Sequence, residues 1–171
     1  MKIHQLTLFL SFPAQNTNFD KFLTEHEINE RPLDKPTPIA CLNRKDLGVC
    51  MIFYPIRDYK KWWGSVGEEG EMIFSTLQIY GEDNDSGFSG YIEELPYGLT
   101  FASTFQEARA IFGEPTLDHL SGPENRVYLW YGYQGYSIAL CFLPENKGIS
   151  FLSIEKSKKD PPKKKPYQLE K

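Results

Sequence analysis

LPYGLTFASTFQEARAIFGEP, residues 95–115, sets the frame for the rest of the chain. Thr104 has the side chain of an N-cap, and Glu107, three residues on, completes a capping box. Phe105, Ala108, Ile111 and Phe112 then fall on one helical face. Gly113 can take the positive φ that ends a helix, and Pro115 cannot continue one. The stretch predicts a short amphipathic helix over 104–112. It specifies packing and carries no chemistry.

Downstream, after a loop through Gly122 and Pro123, three closely spaced strands are predicted over 126–131, 136–143 and 148–154. The turns 132–135 and 144–147 each supply Gly or Asn for special dihedrals, which makes an antiparallel meander. Upstream, 72–80 reads as a long strand and 81–90, GEDNDSGFSG, as an acidic surface turn. Residues 91–96 read as short and extended. Further back, 39–43 and 48–54 form a hairpin about a turn at 44–47. The segment 56–71, with Gly64, Gly67 and Gly70, reads as a loop or a short helical turn. A helix is predicted over 17–29, with a Thr17–Asp20 capping box and with Phe19, Phe22, Leu23 and His26 along one side. At the N-terminus, Leu6, Leu8, Leu10 and Phe12 alternate with Thr7, Phe9 and Ser11, which predicts a first β-strand rather than a signal peptide.

A helix followed by three strands thus occurs twice. The fold class expected is α+β, with an antiparallel sheet and two helices. Two α-β-β-β units would make one continuous sheet with both helices on one face. Residues 1–155 form a single domain, with halves at 1–92 and 93–155. Residues 156–171 form a basic, Pro/Lys-rich tail without a core-forming pattern, read as extended or disordered.

Of the 171 residues, 40% are hydrophobic and 15% aromatic, enough for one domain with a real core and a β-rich bias. The net charge of −4 is unevenly spread. Residues 1–155 hold 12 basic and 21 acidic residues, and the tail holds 7 lysines against Asp160 and Glu170. An acidic body argues against nucleic-acid binding and suits a basic protein partner. No apolar run approaches the ~18 residues of a membrane span. Cys41, Cys50 and Cys141 form no spaced cluster and read as reduced, buried thiols in a cytoplasmic protein.

Little points to catalysis. Asp83, Asp85 and Glu94 occupy positions 1, 3 and 12 of a calcium-type loop, but Gly87 and Phe88 stand at positions 5 and 6, and a strand precedes it. A solvated acidic loop is the plainer reading. His4, His26 and His119 lie in separate elements, so no metal site and no cofactor is expected. Ser89 lacks the G-x-S-x-G order of a nucleophile elbow. Glu68–Glu69 and Glu93–Glu94 are sequence neighbours, which face opposite ways on a strand. The aromatics are the remaining signal. Trp130, Tyr131, Tyr133 and Tyr136 crowd one hairpin, with Trp130 as core. Trp62 and Trp63 sit in the glycine-rich loop beside Glu68, Glu69 and Glu71. One of the pair, Trp63 the first candidate, is either an exposed anchor in an acidic rim completed by Asp83 and Asp85, or a cover for its own core edge.

Leu95-Pro96-x-Gly98-Leu99, the helix ending Phe112-Gly113-Glu114-Pro115, and the strand and hairpin carrying Trp130 and Gly135-Tyr136 resemble the α-β-β-β module of SmpA/BamE-like domains. They are also similar to small bacterial immunity proteins encoded beside polymorphic or type VI secretion toxins. The resemblance covers roughly residues 93–155 and lacks a lipobox cysteine near the N-terminus. It implies a cytoplasmic, non-enzymatic protein that occludes the active site of a cognate toxin acting in the cytoplasm. The partner-binding residues would be Trp62, Trp63, Glu68, Glu69, Glu71, Asp83 and Asp85, with neither nucleic acid nor membrane as partner. The alternative is a small-molecule-binding module with an aromatic-lined pocket.

Overall fold

The structure, a computed structural model, describes residues 1–34, 38–121 and 124–161. The chain opens with helix, not strand: α1 spans Ile3–Leu6 and a 3-10 turn spans Thr7–Phe9. Burial gives the reason. Ile3, Leu6 and Leu10 are buried at helical spacing, whereas Leu8 is 69% exposed. The next residues, turned at Ser11 with a φ of 83°, pair with the sheet. Ser11 N donates to Phe74 O at 2.8 Å, Phe74 N donates to Phe12 O at 2.9 Å, and Pro13 bridges to Ile73.

Helix α2, Thr17–Glu25, buries Phe19, Phe22 and Leu23, but its N-cap is Asn16. The Asn16 Oδ1 accepts from the backbone N–H groups of Asn18 and Phe19, so the Thr17–Asp20 box is not made. The helix stops short of residue 29 because Glu27 takes a φ of 58° and Ile28 N turns back to Leu23 O. Strands β1, Ala40–Arg44, and β2, Val49–Pro55, flank a 3-10 turn. The first part of the glycine-rich segment is helix α3, Ile56–Trp62. Strand β3, Met72–Tyr80, has the predicted bounds.

Helix α4, Phe105–Phe112, carries the predicted capping box: Glu107 N donates to Thr104 Oγ1 at 3.3 Å, and Thr104 N donates to Glu107 Oε2 at 2.7 Å. The Thr104 N–H and the Thr104 hydroxyl, at 3.0 Å, both donate to Glu107 Oε2 and hold its carboxyl below the usual range. Ala108 is fully buried, while Phe105, Ile111 and Phe112 pack half-buried against the core. Strand β4, Leu117–Ser121, replaces the first part of the expected loop, and Thr116 N leads into it by donating to Leu129 O. Strands β5, Asn125–Tyr133, β6, Tyr136–Phe142, and β7, Ile149–Lys156, complete the meander.

All seven strands form one antiparallel sheet in the order β1-β2-β3-β7-β6-β5-β4. The fold is α+β. The last strands of the two halves, β3 and β7, pair at the centre. Leu42, Met51, Leu77, Ile154, Ile138 and Trp130 are successive cross-strand partners over six strands. They share one hydrophobic cluster with Phe19 of α2 and Ala108 of α4, so both helices cover the same face. A bulge at Ser75, left unpaired between Phe74 and Thr76, keeps both ends of β3 facing that core.

The start of the tail is fastened. Ser157 N donates to Gly135 O at 3.0 Å, Lys159 N donates to Trp62 O at 2.9 Å, and the Tyr131 hydroxyl donates to Lys158 O. The remainder, 162–171, lies outside the described residues.

Candidate functional site

The face of the sheet turned away from α2 and α4 is the candidate site. Side chains alternate across a strand, so each core row implies a row on the other side. The central one runs Asn43, Cys50, Gln78, Ser153, Ala139, Leu129, Leu117, one residue from every strand. Cys41, Ile52, Thr76, Glu155 and Ser137 make a second row, and Tyr80, Phe151, Cys141, Val127 and His119 a third. Small and polar side chains floor the middle; Gln78, Ser153 and Ala139 are half-buried there.

Aromatic pairs close two ends. At one, Trp63 stacks on Tyr59 at 4.9 Å and meets Tyr54 edge-on at 5.2 Å, over Ile73. At the other, Phe88 of the acidic loop stacks on Tyr80 at 4.1 Å. Six inter-strand spacings by seven residue rises give a floor of roughly 650 Å². That approaches the ~800 Å² per partner of an ordinary protein interface.

Glu155 lies in this floor, its side chain 20% exposed. Its Oε2 accepts from Thr76 Oγ1 at 3.3 Å, and its Oε1 lies 3.6 Å from Lys158 Nζ. The same ammonium sits 5.0 Å from the centre of the Trp63 ring. Burial pushes the Glu155 carboxyl above its usual range, against the opposing pull of Lys158 and Thr76. An acid with a raised folded pKa binds more protons folded than unfolded. The penalty is therefore absent below the unfolded value of about 4.3 and grows as pH rises through the folded one. Glu155→Gln should melt higher, relative to wild type, at pH 7 than at pH 4. A pH-independent difference in thermal midpoint would overturn the assignment.

The structure separates the residues that the sequence groups. Trp63 is 9% exposed and covers its own core edge; its Nε1 is buried without a hydrogen-bond partner among the described residues. Trp62 is the exposed one, at 49%, with Lys61 Nζ 5.0 Å from its ring. Glu68 accepts from Asn16 Nδ2 at 2.6 Å, and Glu71 accepts from Asp34 N at 3.1 Å, so both are tied to the N-terminal segments. Glu69 pairs with Lys60 of α3 at 2.6 Å. With Arg57, Lys60 and Lys61 on α3, that end is of mixed charge. Asp83 and Asp85 are exposed at the opposite end of β3. The Asn84 side chain organises their loop: it donates to Gly81 O and Phe88 O and accepts from Ser86 N and Phe88 N. The two groups thus stand at opposite ends of the open face instead of forming one patch.

Among the described residues no group of three His, Cys, Asp or Glu side chains could hold a metal ion, and no helix is long and apolar enough to cross a membrane. Cys50 and Cys141 are buried, but Cys41 is exposed, contrary to expectation. Burial, with the neighbouring Cys41, pushes the Cys50 thiol up to about 12. Trp130 is buried, and its Nε1 donates to Gly113 O at 2.8 Å, joining the end of α4 to the sheet. Sequence reasoning missed the open face and Glu155; the alternation of Gln78, Ser153 and Glu155 opposite apolar neighbours was the available signal. No protein-family model, curated protein or solved structure matches the chain.

Proposed function

We propose that the chain is a non-enzymatic protein-binding module that works through the open face of its sheet. In its sharper form it is an immunity protein that lays this face over the active site of a toxin acting in the cytoplasm. The observation behind it is a sheet face of interface size that no helix among the described residues covers, holding a carboxylate, Glu155, that burial pushes toward its neutral form. A residue that opposes folding is explained when it serves binding. A basic toxin surface suits the acidic body and the Asp83–Asp85 rim, which would speed association. The ligand-binding alternative has a cleft of about 540 Å³ lined by residues from Tyr91 to Phe101.

The test is co-expression with the product of an adjacent toxin gene, reading survival and co-purification. Ser153→Arg places a large side chain on the half-buried floor and should weaken binding at least about 30-fold, the scale of a 2 kcal/mol hot spot. Reversing Asp83 and Asp85 should instead slow association in a salt-sensitive way. A wild-type protein that neither protects nor co-purifies, or a folded Ser153→Arg variant that binds normally, would sink the proposal.

A further inference from the structure

We infer a second interaction surface along the free edge of β1, one that takes an extended, basic peptide strand from a partner. In this first strand of the sheet, every second residue turns its N–H and C=O away from β2. Among the described residues, no backbone group of Ala40–Arg44 bonds outside that ladder. The edge is not open to bulk solvent along its length. Residues 27–33 stand beside it, parted from it by two adjoining clefts of about 260 and 400 Å³ that share Glu30, Cys41 and Leu42. The result is a groove with hydrogen-bonding backbone on one side and an irregular wall on the other.

Its geometry selects the occupant. A single extended strand can enter such a groove and pair with the edge, the strand-addition mode of peptide recognition. The edge of a second sheet meets the wall, so a second copy of this chain does not fit. Charge selects further. Arg31 is engaged by Asp20 at 2.6 Å and Arg44 by Asp46 at 2.7 Å. Glu27 and Glu30 are exposed and make no direct ion pair among the described residues, although Glu27 is near enough to Arg44 to favour its charge, so the groove offers carboxylates, Glu30 the freer of the two. Leu33 and Ile39, 51% and 40% exposed, add apolar surface near one end. Lysine or arginine alternating with an aliphatic residue meets both demands.

The test uses the full chain and the peptide acetyl-TKVKVKT-amide, with two controls: acetyl-TEVEVET-amide, and the basic peptide N-methylated at alternate residues so that it cannot pair. The basic peptide should slow amide exchange of the outward-facing N–H groups within 40–44 at least about tenfold, and slow alkylation of Cys41, the exposed thiol. Glu27→Lys with Glu30→Lys, both at exposed positions, should weaken binding about tenfold or more with the melting temperature held. No slowing at β1, equal binding of either control, or β1 protection that rises with protein concentration alone would overturn the inference. The last result would mean self-association.

Discussion

Replacing Phe19 by alanine is expected to cost about 3–5 kcal/mol of stability, the range for deleting a large buried aromatic. Denaturant melts with an unchanged slope would measure it. Phe19 is fully buried. Its ring stacks on Phe9 at 4.6 Å and lies 5.4 Å from Phe74 and 6.2 Å from Phe53. Phe9 belongs to the N-terminal 3-10 turn, while Phe53 and Phe74 belong to adjacent strands of the sheet. One side chain therefore joins the N-terminal segment, α2 and β2–β3. Each aromatic pair adds about 0.5–1.5 kcal/mol beyond the area it buries, so the upper part of the range is the expectation. A loss under about 1 kcal/mol would mean that α2 is not seated on the sheet.

The sequence exposes most where one local rule dominates. Around α4, the Thr104–Glu107 box, the apolar face and Gly113 all point to the same element. Strand β3 was equally plain, because a run rich in β-branched, aliphatic and aromatic residues is bracketed by glycine-rich segments. The failures came where two periods compete. Leu6, Leu8 and Leu10 fit a strand, but Ile3, Leu6 and Leu10 also fit a helix, and contacts with the core decide between them. Strand β4 was lost because LDHLS is a polar edge, with His119 and Leu120 exposed.

The candidate site was less legible still. The Trp62–Glu71 group and the Asp83–Asp85 loop, which flank β3 in sequence, are held at opposite ends of that nine-residue strand. The open face instead gathers one or two residues from each strand, which only the register brings together. Glu155 looks ordinary in the stretch SIEKSKK. It becomes unusual only once β7 lies at the centre of the sheet beside Thr76. The reading of Trp63 as a cover for its own core edge was already open in the sequence. The stacked Tyr59 that decides for it lies on the same short helix, while Tyr54 comes from β2.

Gly148→Ala should be nearly as damaging as the loss of Phe19, at roughly 2–5 kcal/mol, by a different mechanism. Gly148 has a φ of 114°, a conformation that a residue with a Cβ adopts only at a cost. A methyl group there would land on the carbonyl oxygen of Phe101. That oxygen cannot readily move, because it accepts from Ile149 N at 2.7 Å, while Gly148 O accepts from Leu143 N at 2.9 Å. The turn between β6 and β7 is thus fastened to the segment leading into α4. Gly135→Ala is the control: its φ is 84°, but nothing lies within 4 Å of the added carbon. Only the backbone term of about 1–2 kcal/mol should appear there. If the two variants lose the same stability, the Phe101 carbonyl does not approach Gly148 closely enough to meet an added Cβ.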